Sequence, residues 1–239
     1  MTVREWAQLY IDHGWQVVPL APQSKRVTAT GWLALEFVAD DFNGRSTKLR
    51  SKRVYASPFP KTIAYKDTHD KTTLIEIRSQ HQDMAPPSVH PSGEALTWDG
   101  ENLGSPADVT TADLTRAVKL CATVAVIARH YNPAGSRHDW CLALAGTLRR
   151  RGITEEECIT LLTDAAGWSH DHKLTDRLSE VHTTYAHEDD DPITGATTLD
   201  DVGTGDLAAT LTTLWGAPVA ATAYHLNTRN LPDRNNISN

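Results

Sequence analysis

A chain of 239 residues, 40% of them hydrophobic, is long enough to bury one large core or two smaller ones, and two is the preferred reading. No apolar run approaches the roughly 18 residues of a membrane span, the N-terminus lacks the basic-then-apolar layout of a signal peptide, and Cys121, Cys141 and Cys158 form no C-x-x-C pair. These features argue against a membrane partner, a disulfide framework and a zinc finger, and predict a cytoplasmic protein with reduced thiols. The formal net charge of −7 excludes a general nucleic-acid coat, so any phosphate contact must be local.

The chain opens with Thr2-x-x-Glu5, a capping box, then Trp6, Leu9 and Tyr10 on one face and Gly14 as a stop, which predicts a helix over 3–13. Trp15 to Leu20 is a short apolar run that Pro19 pushes to an edge or strand end, and the loop after it carries Lys25, a candidate phosphate ligand. From Phe42 to Lys66 there are seven basic residues and no acid, with Tyr55, Phe59 and Tyr65 interleaved. That composition fits a solvated loop, or a stretch that tracks a phosphate backbone while the rings stack on bases.

Leu74 to Arg78 alternates apolar and charged residues and reads as a half-buried strand that displays Glu76 and Arg78. Pro86 and Pro87 remove two backbone donors and end any strand, which places Ser88 and His90 on a rigid segment before Pro91 and Gly93 turn the chain again. The plain reading is a proline-rich hairpin loop. The functional one is a polar site in which a guanidinium fork, a hydroxyl and an imidazole meet a triphosphate or template phosphate.

Gly, Asn, Ser and Pro dominate 100–106, which marks a domain boundary. Helical spacing follows. Thr110 with Asp113 caps a helix to about His130; Ser136 opens one that runs to Arg151 before Gly152; Thr154-x-x-Glu157 is a second capping box; Leu174, Leu178, Val181 and Tyr185 mark a fourth helix; the last spans about 205–215. Arg137 and His138 at one helix start, with Arg149, Arg150 and Arg151 at its end, form a basic cluster that serves either the helix dipole or a nucleic-acid surface. His170 and His172 stand two apart, a poor spacing for shared ligation on a helix.

Three stretches resemble bifunctional DNA primase/polymerases of phages and plasmids, in the archaeo-eukaryotic primase superfamily. They are LYIDHGWQVVPLAPQSKR followed by Gly31-Trp32, EIRSQHQDMAPPSVHPSGE, and GSRHDWCLALAGTLRRRGITEEE. The resemblance implies that Glu76 stands at the third metal-binding carboxylate and that Mg or Mn would serve an active enzyme. It fails over 33–71, where the D-x-D strand and the glycine-rich turn with its nucleotide-contacting histidine have no counterpart; Asp40-Asp41 has the wrong spacing, His69 lacks the preceding glycine, and the interval is too short for the missing strands.

The expectation is therefore an α+β chain: a truncated primase/polymerase-like α/β region over 1–105, an all-α domain of four or five helices over 106–216, and a loosely ordered tail over 217–239. It would be a replication protein of a mobile element, catalytically degenerate, acting through single-stranded DNA or a replicative helicase. The alternatives are an active enzyme with Asp40, Asp41 or Asp67 re-sited beside Glu76, and a non-functional deletion product.

Overall fold

The computed structural model describes residues 2–12, 38–39, 54–58, 61–79, 84–97, 106–131, 137–188, 193–202 and 206–217. In order they form α1 (Val3–Asp12), β1 (Val38–Ala39), β2 (Val54–Ala56), β3 (Ile63–Lys66), β4 (Thr73–Ile77), β5 (Ala107–Asp108), α2 (Thr111–Arg129), α3 (Arg137–Arg149), α4 (Glu155–Trp168), α5 (Leu174–Ala186), α6 (Ala196–Val202) and α7 (Asp206–Trp215). The class is α+β. Two compact units divide the chain: Met1–Ala64 with Ile75–Val118, and Tyr65–Leu74 with Lys119–Asn239. The division falls inside α2 and not in the Gly/Asn/Ser/Pro stretch that composition singles out.

In the first unit α1 starts as its capping box dictates: the Thr2 N–H donates to Glu5 Oε2 at 2.6 Å and the Glu5 N–H donates to Thr2 Oγ1 at 3.3 Å. Its apolar face stacks Trp6 on Tyr10, with ring centroids 5.7 Å apart, and the buried Tyr10 hydroxyl donates to the Pro86 carbonyl. Strand β1 runs antiparallel to β2 (Val38↔Tyr55, Ala39↔Val54), and β2 runs parallel to β5 (Tyr55↔Ala107, Ala56↔Asp108). The interval 33–71 contains β1, β2 and β3, none of which carries a D-x-D pair. The strands have two, three and four residues, below the length at which alternation becomes readable.

Residues 84–97 form the hairpin that their prolines suggest. Val89 bridges Ala95, the Leu96 N–H donates to Ser88 O at 3.0 Å, and the His90 N–H donates to Glu94 O at 2.7 Å. At the tip the Gly93 N–H returns to His90 O at 2.8 Å, with Gly93 at φ +89, a three-residue loop in which Pro91 presets the turn and Gly93 takes the left-handed position. The Pro86–Pro87 peptide is cis.

The second unit is built around α3, whose Trp140, Leu144 and Leu148 are fully buried, along with Val126 and Ile127 of α2, Leu162 of α4, Leu199 of α6 and Leu211 of α7. Each such aliphatic side chain contributes about 1.5–3 kcal/mol of burial. Close approach to α3 depends on Gly146, where a Cβ would stand 1.8 Å from the Thr194 carbonyl oxygen. Helix α4 opens on the predicted capping box, with the Glu157 N–H on Thr154 Oγ1 and the Thr154 N–H on Glu157 Oε2.

The ends of α3 and α4 share one device. After α3 the Ile153 N–H donates to Leu148 O and the Gly152 N–H to Arg149 O, with Gly152 at φ +76. After α4 the same pair of bonds runs from Asp171 to Ala166 O and from His170 to Gly167 O, but the left-handed residue is His170, at φ +51. A side chain there costs on the order of 1 kcal/mol relative to glycine.

Candidate functional site

Three polar places arise from these elements. The first covers two stretches of the N-terminal unit, the end of β4 and the 84–97 hairpin, each with its own internal bonds. Glu76 and Arg78 lie on the same face because they are two apart, and Arg78 Nε donates to Glu76 Oε2 at 2.9 Å, both side chains being partly buried. Ser88 is part-buried and its backbone closes the segment, with the N–H on Ala85 O at 3.0 Å. His90 Nδ1 accepts the Ser92 N–H at 3.2 Å and lies 2.9 Å from Ser92 Oγ, which leaves the ring proton on Nε2. Lys25, Gly31, Trp32, Phe59, Asp40 and Asp41 lie outside the described residues, as does the tail from 218 onwards.

A two-ion polymerase centre needs several carboxylates around its cations. The donors here do not fit one: Glu76 supplies a single carboxylate already facing Arg78, and among the described residues no three His, Cys, Asp or Glu gather to hold a metal ion.

The second place is the turn between β3 and β4, with the residues around it in the helical unit. Sequence reading treated KDTHDK as a failed match; in the structure it is a turn shaped by two aspartates. The His69 N–H donates to Asp67 Oδ1 at 3.0 Å and the Thr72 N–H to Asp70 Oδ1 at 2.9 Å, while Lys71 takes the left-handed conformation at φ +63. Asp67 is completely buried. Its Oδ2 accepts from Arg129 Nε at 2.9 Å and His130 Nε2 at 2.8 Å, both at the end of α2.

Arg129 also donates from Nη2 to Asp70 Oδ2 at 2.6 Å. From α7, Thr210 Oγ1 lies 2.7 Å from Thr68 Oγ1, and Asp206 Oδ2 lies 2.5 Å from His69 Nδ1. Burial alone would raise the Asp67 carboxyl; the His69 N–H, Arg129 and His130 outweigh it and hold its pKa below the usual range. Asp206 raises the exposed His69 imidazole by hydrogen bond and charge. These bonds hold Asp67 as a structural anchor of the helical unit.

The third place lies where α3 begins and α4 turns into α5. Asp171, buried in that turn, accepts from Arg137 Nη1 at 3.0 Å, Arg177 Nε at 3.2 Å, the Tyr131 hydroxyl at 3.0 Å and the Lys173 N–H at 3.1 Å. Arg137 also lies over the Tyr131 ring, which packs edge-on to Trp140. Burial would raise Asp171, but the Lys173 N–H, Arg177, Tyr131 and Arg137 together bring its carboxyl down.

Beside this brace opens a cleft of about 480 Å³ lined by Arg137, His138, Lys173, Asp176, Arg177 and Glu180, among others. Its lining is mixed in sign. Arg137, Lys173 and Arg177 supply its cations, the two guanidiniums sharing the Asp171 carboxylate, and Asp176 and Glu180 its acids, with His138 Nδ1 2.7 Å from Glu180 Oε1. Sequence reading named Arg137 but neither Lys173 nor Arg177; these two stand four apart at the start of α5, and only Asp171 brings Arg137 of α3 to Arg177.

The arginine run at the end of α3 is spread over three directions. Arg149 donates to the carbonyls of Thr184 and His187 at the end of α5, Arg150 to Ile193 O, and the buried Arg151 to Thr147 O and Thr212 Oγ1. Each stitches α3 to a different neighbour. His170 and His172 are both exposed.

Residues 128–172 match the family model described as Primase C terminal 1 (PriCT-1). The matched span includes the end of α2, the start of α3 with Arg137 and His138, all of α4, and Asp171. This relates the helical part of the chain to primases. No curated protein and no solved structure matches the chain. No helix among the described residues is long and apolar enough to cross a membrane.

Proposed function

We propose that this chain is a primase-related replication protein that acts by holding single-stranded DNA on its helical unit, and that it does not polymerise by itself. The observation that carries this reading is that the primase C-terminal match runs through the braced turn to Asp171 and takes in Arg137 and His138 of the cleft, whose other cations, Lys173 and Arg177, follow just after the matched residues. A phosphate backbone entering the cleft would meet three cations, two of them already sharing Asp171, with Asp176 and Glu180 also in the lining. Three neutralised phosphates give a log–log salt slope of roughly −2 for a single strand.

The pairing of Glu76 with Arg78 supports a binding role over a catalytic one for the N-terminal unit, and Asp67 is already committed to Arg129 and His130. Arg78, Ser88 and His90 then serve as secondary contacts for a strand or nucleotide. Two assays test this. Fluorescence anisotropy of a labelled oligothymidylate over a salt series is expected to show binding with that slope, and Lys173→Ala to flatten it by about one phosphate's share. Primer extension and de novo priming with Mg or Mn should give no product above background; robust synthesis abolished by Glu76→Ala would refute the proposal, as would absence of any binding.

A further inference from the structure

The cations of the cleft are drawn to one point. Asp171 accepts from Arg137 Nη1 at 3.0 Å, from Arg177 Nε at 3.2 Å and from the backbone N–H of Lys173 at 3.1 Å. Three cationic residues, from the starts of α3 and α5, thus stand within one hydrogen bond of a single carboxylate. A groove that tracks a strand has its charges in a line, placed to meet successive phosphates over several nucleotides. Here they form a cluster.

Along α5 the sign then changes. Lys173, Arg177 and Glu180 follow one another at helical steps of four and three, with Asp176 beside Arg177, and all four line the cleft. The face that begins with a cation therefore ends with a carboxylate about 10 Å further on, at 1.5 Å of rise per residue. Glu180 is buried there and held by His138. Phosphates following the first along this face would meet Asp176 and Glu180. The volume of about 480 Å³ sets the same limit: it takes one compact ligand, about a nucleotide, and not the run of about four or more that a strand-tracking groove holds.

We propose that the cleft takes a strand by its end, holding a terminal phosphomonoester between Arg137, Lys173 and Arg177. This rests on the single-strand reading above and names the group that enters first. A terminal phosphate carries about −1.5 to −2 charges at pH 7 on three acceptor oxygens, against about one charge for a diester within the strand. Each guanidinium has five N–H donors, more than its bond to Asp171 uses. Two such forks and an ammonium around one point complement a dianion, and the carboxylates further along α5 turn the rest of the strand out of the cleft.

The test uses the full chain and internally labelled oligothymidylates with a 5′-phosphate, a 3′-phosphate or hydroxyls at both ends. A fourth, hydroxyl-ended strand, two nucleotides longer, matches the charge of the phosphorylated ones. In fluorescence anisotropy at least one phosphorylated end is expected to bind about 10-fold more tightly than both hydroxyl-ended strands, the gain of one added charge-assisted contact. Lys173→Ala, at an exposed position, should melt at the wild-type temperature and lose most of that preference. Asp176→Ala should narrow it from the other direction, by letting hydroxyl-ended strands bind more tightly. Equal binding of all four strands, or a preference that survives intact in Lys173→Ala, would overturn the terminal-phosphate site and leave the single-strand reading standing. If no strand binds, both fall.

Discussion

Replacing Asp67 tests the central polar anchor of the helical unit. Its carboxylate is completely buried and accepts from the His69 N–H, Arg129 Nε and His130 Nε2 at 3.0, 2.9 and 2.8 Å. Asp67→Ala removes all three and leaves the His130 ring, 9% exposed, against a void. Breaking a buried pair by removing one partner costs about 3–5 kcal/mol; the lower end applies because Arg129 keeps Asp70 at 2.6 Å and is 30% exposed. A loss of about 3 kcal/mol corresponds to a fall of roughly 6–12 °C in Tm for a chain of this size.

The pH dependence has a definite sign. The folded pKa of Asp67 is depressed, so its contribution is complete above the ordinary carboxylate pKa near 4 and disappears as pH falls through the lower folded value. Urea unfolding followed by circular dichroism at pH 7 and along the acid limb should show wild type losing this increment below about pH 4, and Asp67→Asn losing less there because it has no such proton to take up. A change under about 1 kcal/mol for Asp67→Ala, or an acid limb unaltered in Asp67→Asn, would refute the argument.

Three further outcomes follow from the same contacts. Gly146→Ala, which in an open helix would add about 1 kcal/mol of stability, should instead cost about 1–3 kcal/mol in thermal melts, because the new methyl meets the Thr194 carbonyl. Arg151→Ala should destabilise by about 1–3 kcal/mol in urea titrations, more than Arg149→Ala, since Arg151 is buried between Thr147 O and Thr212 Oγ1 whereas Arg149 bonds carbonyls nearer the surface. In an NMR titration the His69 imidazole should hold its proton to higher pH than an ordinary histidine and return to the usual range in Asp206→Asn; any stability it adds is present in acid and lost as pH rises through its folded value.

The parts of this fold legible in the sequence are those with local causes. The Thr2/Glu5 and Thr154/Glu157 boxes set helix starts within four residues, and apolar spacing gave α2 to α5 and α7. Helix α6 escaped notice because its seven residues are too few for an apolar stripe to repeat. The β3–β4 turn escaped for a different reason. Its aspartates look like surface residues until α2 and α7 bring Arg129, His130 and Thr210 to them from sixty to a hundred and forty positions away. The arginine run showed the converse limit: charge counting finds Arg149 to Arg151, but only packing shows that their guanidiniums reach carbonyls and a hydroxyl of the fold.

The distribution of buried charge bears on where function lies. Asp67 and Asp171 are the two carboxylates around which the helical unit gathers its cations, yet their settings differ. Around Asp67, Arg129 answers two carboxylates and the polar groups close on one another. Around Asp171 two guanidiniums answer one carboxylate, the turn it braces presents Lys173 to solvent, and the site borders the cleft. A locked cluster gains little from a ligand. A braced surface with Lys173 exposed on it carries the cost of building the site before any ligand arrives, which is the arrangement that lowers the ordering penalty on binding. On the single-strand reading proposed above, the α4–α5 turn, and not the histidine-bearing turn at 67–72, is where Lys173→Ala should weaken binding.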